Sequence, residues 1–112
     1  MAGKRGGLHS YTVQEAQNSS MGQVGSVYLD TDGTTFTPSN GVIVAITMIS
    51  DANFDVLTAE DSSKYISVGG TGYGAGGDTL ANTDNFPAGM TIYGRWTSVS
   101  VNTTGSCICY VG

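Results

Sequence analysis

His9 is the single histidine of the chain, so any mechanism in which a base activates a serine or cysteine would have to be built on it. It lies next to a glycine-punctuated N-terminal stretch and reads as an exposed arm residue, far in sequence from Cys107 and Cys109. Paired carboxylates could instead serve acid–base chemistry. Glu15 and Glu60 are the only glutamates, and Asp51, Asp55, Asp61, Asp78 and Asp84 sit mainly in turn-forming stretches, where aspartate satisfies backbone donors. No residue is therefore assigned a catalytic role, and the expectation is a protein that is not an enzyme.

The other chemistry-bearing patterns reduce in the same way. Asp30-Thr31-Asp32-Gly33 begins like a calcium loop, but the sixth position is Thr35 and the twelfth is Gly41, where an EF-hand needs glycine and glutamate. Asp30, Asp32 and Asn40 could at most hold a cation loosely, against a plain turn. Cys107 and Cys109 are two apart, so on a strand both point to one face; a disulfide between them would be strained, and a metal would need two more ligands. They read as small buried hydrophobes. Residues 69–77, GGTGYGAGG, hold six glycines but lack the Lys-Ser/Thr ending of a phosphate loop, and read as a surface loop around Tyr73. No cofactor and no metal is expected. The residues left as candidates for binding a partner are Lys4, Arg5, Tyr73, Tyr93 and Arg95. Tyr73, Phe86, Tyr93 and Trp96 together could form an aromatic platform for sugar, with core packing as the plainer reading of Trp96.

The elements that would carry these residues are strands. The chain has 112 residues, one domain's worth, with 12% charged residues and 17 glycines. Four cations against nine carboxylates give a net charge of −5, which leaves no basic stripe for nucleic acid. No apolar run follows the basic MAGKRGG start, and none approaches the roughly 20 residues that span a membrane. The chain is thus expected to be made in a cytoplasm.

Residues 1–7 read as a flexible arm and 8–112 as a single β domain. Short strands are expected at 8–13, 24–29, 54–58 and 65–68, with Val27 and Leu29 on one face and Phe54 and Val56 on one face. The strongest run is 42–49, with Val42, Val44, Ile46 and Met48 on one side and Ile43, Ala45 and Ile49 on the other. It predicts a strand buried on both faces, with a second sheet over one side and a partner subunit or a loop over the other. Residues 91–101 and 106–111 read as a hairpin. Within the first of these, Gly94 marks a bulge or a close backbone approach, and Tyr93 and Arg95 face opposite to Trp96. About seven strands at such spacing predict an all-β fold, an antiparallel β-sandwich or a jelly-roll-like small barrel.

The stretch FPAGMTIYGRWTSVSVNTTGSCICYVG, residues 86–112, joins an F-P-A-G turn, an I-Y-G-R-W strand, a short polar turn and a terminal strand ending in Y-V-G. It resembles the ending of small virion structural proteins of tailed bacteriophages, and residues 41–61 are compatible with the same class. The resemblance covers about a quarter of the chain. It implies a capsid decoration or cement protein, located in the virion and assembled in the host cytoplasm. Its implied partners are the major capsid protein and other copies of itself, such as a homotrimer. The alternative implied is a tail, head-fibre or receptor-binding component that recognises host surface glycans. No functional residue is carried over, because the shared positions look fold-forming.

Overall fold

A computed structural model describes residues 24–30, 34–102 and 105–112. The expected arm at 1–7, with Lys4 and Arg5, and the expected strand at 8–13 lie outside these residues. The described residues contain five strands: β1 Gly25–Leu29, β2 Ile43–Met48, β3 Phe54–Ala59, β4 Thr91–Val101 and β5 Cys107–Val111. They form one antiparallel sheet in the order β1-β5-β2-β4-β3, and the described residues contain no helix. The fold is all-β, as the strand-and-turn composition predicts.

The inner face is the core. Its cross-strand rows are Leu29–Cys107–Met48, Val27–Cys109–Ile46–Ile92, and Gly25–Val111–Ile43–Trp96. Phe54, Leu57, Val99 and Val101 extend it over β3 and the second half of β4. Burying each large apolar side chain of this set contributes about 1.5–3 kcal/mol. The face is covered by connecting segments rather than by further named strands: Phe36, Tyr65, Val68, Leu80 and Phe86 pack on it. Phe86 meets Phe54 edge-on at 5.0 Å, and its segment is fixed by reciprocal backbone bonds with Ala52.

β4 is shared between two neighbours. Residues 91–96 pair with β2, and residues 96–101 pair with β3. Beyond the end of β2, Phe36 exchanges both backbone hydrogen bonds with Val99. Trp96 stands at the junction, opposite Ile43 on one side and Ala59 on the other. Its indole N–H donates to the Ile66 carbonyl at 2.8 Å, which anchors the covering segment. The ring lies over Gly94, where an added Cβ would come within 2.8 Å of it. This is the close approach that a glycine inside a strand implies.

Four sequence expectations change. The pair 91–101 and 106–111 is not a hairpin, because β2 lies between β4 and β5. The connecting turn bonds to the segment after β2 instead: Asn102 N–H donates to the Asn53 carbonyl, and Ser106 is held by Ser50. The alternation in β2 breaks at Val44, where a bulge places Ile43 on the same face as Ile46 and Met48. A second irregularity between Phe54 and Val56 puts these two on opposite faces and brings Leu57 to join Phe54. Finally, 65–68 is not a strand. Asp61 captures the backbone and hydroxyl of Ser63, closing a turn through Lys64 and Tyr65 that leaves Val68 only a single parallel bridge to Leu80.

Gly94→Ala is expected to destabilise the protein by about 1–3 kcal/mol, because the buried indole must move. Gly25→Ala, whose Cβ would meet nothing within 4 Å, should change stability by less than about 0.5 kcal/mol. Urea denaturation followed by Trp96 fluorescence compares the two.

Candidate binding surface

The outer face of the sheet is set by the same register. One row runs Tyr28–Ile108–Thr47–Thr91, and the next runs Ser26–Tyr110–Ala45–Tyr93. Alternation in β5 explains it: Cys107, Cys109 and Val111 face the core, so Ile108 and Tyr110 face outward. Thr47 and Thr91 share a hydrogen bond between their hydroxyls at 3.0 Å. Ala45 is buried although it faces outward, because its short side chain lies in the row between Tyr110 and Tyr93. Tyr93 is 67% exposed and Tyr28 56% exposed.

A second feature lies beside the end strand β1. An open groove of about 300 Å³ is lined by Val24–Val27, Phe36, Pro38–Asn40 and Val111. The lining is mainly apolar, and Val24, at its rim, is 54% exposed. Among the described residues, β1 pairs only with β5.

The candidate residues do not converge. Tyr93 stands on the outer face. Tyr73 projects from the glycine-rich loop, 81% exposed, and the neck of that loop, Val68 and Leu80, packs on the inner core. Positive φ at Gly69, Gly72, Gly74 and Gly76 shapes this loop. Arg95 is engaged by Glu60, with Nε donating at 2.7 Å and Nη2 at 3.3 Å. The guanidinium holds the Glu60 carboxyl below its ordinary pKa, and the carboxylate raises that of Arg95. Trp96 is fully buried, and with Phe86 packed on the core the aromatic platform expected from 73, 86, 93 and 96 does not form. Tyr28 and Tyr110, which the sequence reading did not single out, take that place on the outer face. The period-two patterns of GSVYL and CICYV were their signal, but only the strand order shows which residues stand beside them.

The carboxylates are occupied with local structure. Asp51 accepts from Ala88 N–H at 2.8 Å, Asp84 from Ala81 N–H at 2.7 Å, and Asp61 from Ser63. The hydroxyl of Ser63, and then its backbone N–H, lower the Asp61 pKa. Cys107 and Cys109 are free and buried, with Sγ atoms 4.0 Å apart. The hydrogen bond to Cys107 and burial both push the Cys109 thiol up, away from ionisation. Among the described residues no three histidine, cysteine or carboxylate side chains come together to hold a metal ion. Asp30 is described, but Asp32 lies outside the described residues. Compared with known protein families, characterised proteins and solved structures, the chain matches none.

Two outcomes are expected. A thiol reagent should leave Cys107 and Cys109 unmodified in the folded protein and label both in denaturant, read by mass spectrometry. Since Glu60 is held below its ordinary pKa of 4.5, its ion pair stabilises the fold above that range, and the effect fades as pH falls through the lowered value. Glu60→Gln should therefore lower the melting temperature slightly at neutral pH and leave it unchanged in strong acid; the pair is exposed, so the effect is small.

Proposed function

We propose that the chain is a virion structural protein that binds and stabilises a phage capsid shell, a decoration or cement protein that acts by protein–protein packing and not as an enzyme. The observation that carries this reading is the apolar groove beside β1, a strand that among the described residues is paired along one edge only. An extended segment of a neighbouring protein can add to such an edge through backbone hydrogen bonds, with apolar side chains filling the groove. The resemblance of residues 86–112 to virion proteins, and the use of Asp51, Asp61 and Asp84 in turns, support it. The partners in this reading are the major capsid protein and other copies of the chain, with a homotrimer as the form implied. Nucleic acid is not a partner: of the described cations, Arg95 is paired and Lys64 stands without a second basic neighbour in the sequence.

A ligand that binds only the assembled shell stabilises it by mass action, and many identical sites make modest affinity sufficient. A standard specific contact buries roughly 800 Å² per partner. A second reading, a tail, head-fibre or receptor-binding component that recognises host glycans, is favoured by the exposure of Tyr73 and Tyr93.

Purified protein should co-sediment with phage heads lacking it, saturating at a fixed ratio to the major capsid protein and raising the capsid melting temperature. Val24→Asp, a charge at the exposed rim of the groove, should abolish binding while the isolated protein keeps its stability within about 0.5 kcal/mol. Absence of binding to heads by the unaltered protein overturns the capsid reading.

A further inference from the structure

We infer that the outer face of the sheet binds a neutral polysaccharide, with sugar rings stacked on Tyr93 and Tyr110 and the chain running on toward Tyr28. The inference deepens the glycan reading and does not depend on attachment to a capsid.

The face has the chemistry that a sugar chain needs. Its two rows supply three tyrosines, one isoleucine, the small Ala45, and the hydroxyls of Ser26, Thr47 and Thr91. The phenol groups of Tyr28, Tyr93 and Tyr110 make no hydrogen bond to any described residue; the rings of Tyr28 and Tyr93 are exposed and that of Tyr110 is half-buried between its neighbours. A sugar offers an apolar patch of C–H groups to an aromatic ring and hydroxyls at its rim; tyrosine and threonine match both, since a hydroxyl donates and accepts.

Geometry limits the ligand. Tyr93 and Tyr110 stand in one row with Ala45 between them, two strand spacings or roughly 9.5 Å apart. Ala45 leaves a dip there, and alternate rings of an extended sugar chain can rest on the tyrosines while the intervening ring crosses it. Tyr28 lies diagonally from Tyr110, within reach of the next ring.

Charge and size argue against other occupants. Neither row carries a charge; in the five strands only Asp55 and Arg95 do, and Arg95 is bound by Glu60. The net charge of −5 opposes an acidic glycan or a nucleic acid. The eight residues cover roughly 250 Å² by strand spacing and rise. That is about a third of what one partner buries in a standard protein interface.

The test is titration calorimetry of the full chain with neutral glucan, mannan and galactan hexasaccharides, together with chemical-shift mapping. At least one series should bind with little salt dependence and shift the signals of Tyr28, Ala45, Tyr93 and Tyr110. Tyr93→Ala should weaken binding about tenfold, Tyr93→Phe should retain most of it, and Tyr73→Ala should change nothing. The melting temperature should be unaltered in all three variants, since both positions are exposed. The inference is overturned if no hexasaccharide binds at millimolar concentration, if Tyr93→Ala binds as well as the parent, or if sedimentation shows this face buried in a dimer. Tyr93→Ala should still bind phage heads, so loss of head binding and loss of sugar binding are read separately.

Discussion

The whole arrangement turns on Trp96. Its strand neighbours are Ile43 and Ala59, so one residue stands where β4 passes from β2 to β3. Its ring fills the space left by Gly94, and its N–H holds the segment that covers the core. Without a side chain at Gly94, a six-membered ring can lie flat on its own strand without straining the pairing on either side. Truncating a buried aromatic of this size costs about 3–5 kcal/mol, a large share of the stability of a domain this small.

Because that packing draws the large apolar residues to one side, the opposite face is left to tyrosine, threonine and serine. The division is a consequence of β5 as much as of β2. Two buried thiols alternate with Ile108 and Tyr110, so the same five residues that close the core also furnish the middle of the outer surface. Cysteine is well suited to the inward positions: it is small, tolerates burial, and here has no role in a disulfide. The outer face and the groove at β1 adjoin at Ser26, while Tyr93 lies at the far end of the outer row from the groove.

Much of this is legible in the sequence. Strand positions follow from alternation and turn residues, and β4 runs over the expected residues 91–101. The burial of Trp96, Cys107 and Cys109 follows from residue type, and the tight approach at Gly94 from a glycine inside an apolar strand. What the sequence hides is neighbourhood. Residues 91–101 and 106–111 look like a hairpin because a short polar turn joins them, yet β2, apolar on both sides, takes the place between them, where burial is greatest. Bulges are equally hidden. Val44 and Asp55 are ordinary strand residues by composition, but each sits where the register slips, reversing the faces expected for Ile43 and Val56. The tyrosine rows could be read only once order and register were both known.

The strand order also governs how the chain can reach this state. Among the five described strands only β3 and β4 are both consecutive in sequence and neighbours in the sheet, and residues 60–90 separate them. Every ladder must therefore close a long loop, and such nonlocal topologies fold slowly. β5, the last of the five strands, lies between β1 and β2, the first two. Until it arrives, the apolar rows of β1 and β2 have no common partner, and their open edges are the kind that pair with other chains. A nascent chain of this topology can pair β2, β4 and β3 early but joins β1 to them only once β5 has been made, and its yield in a crowded cell depends on how long the half-built edges wait.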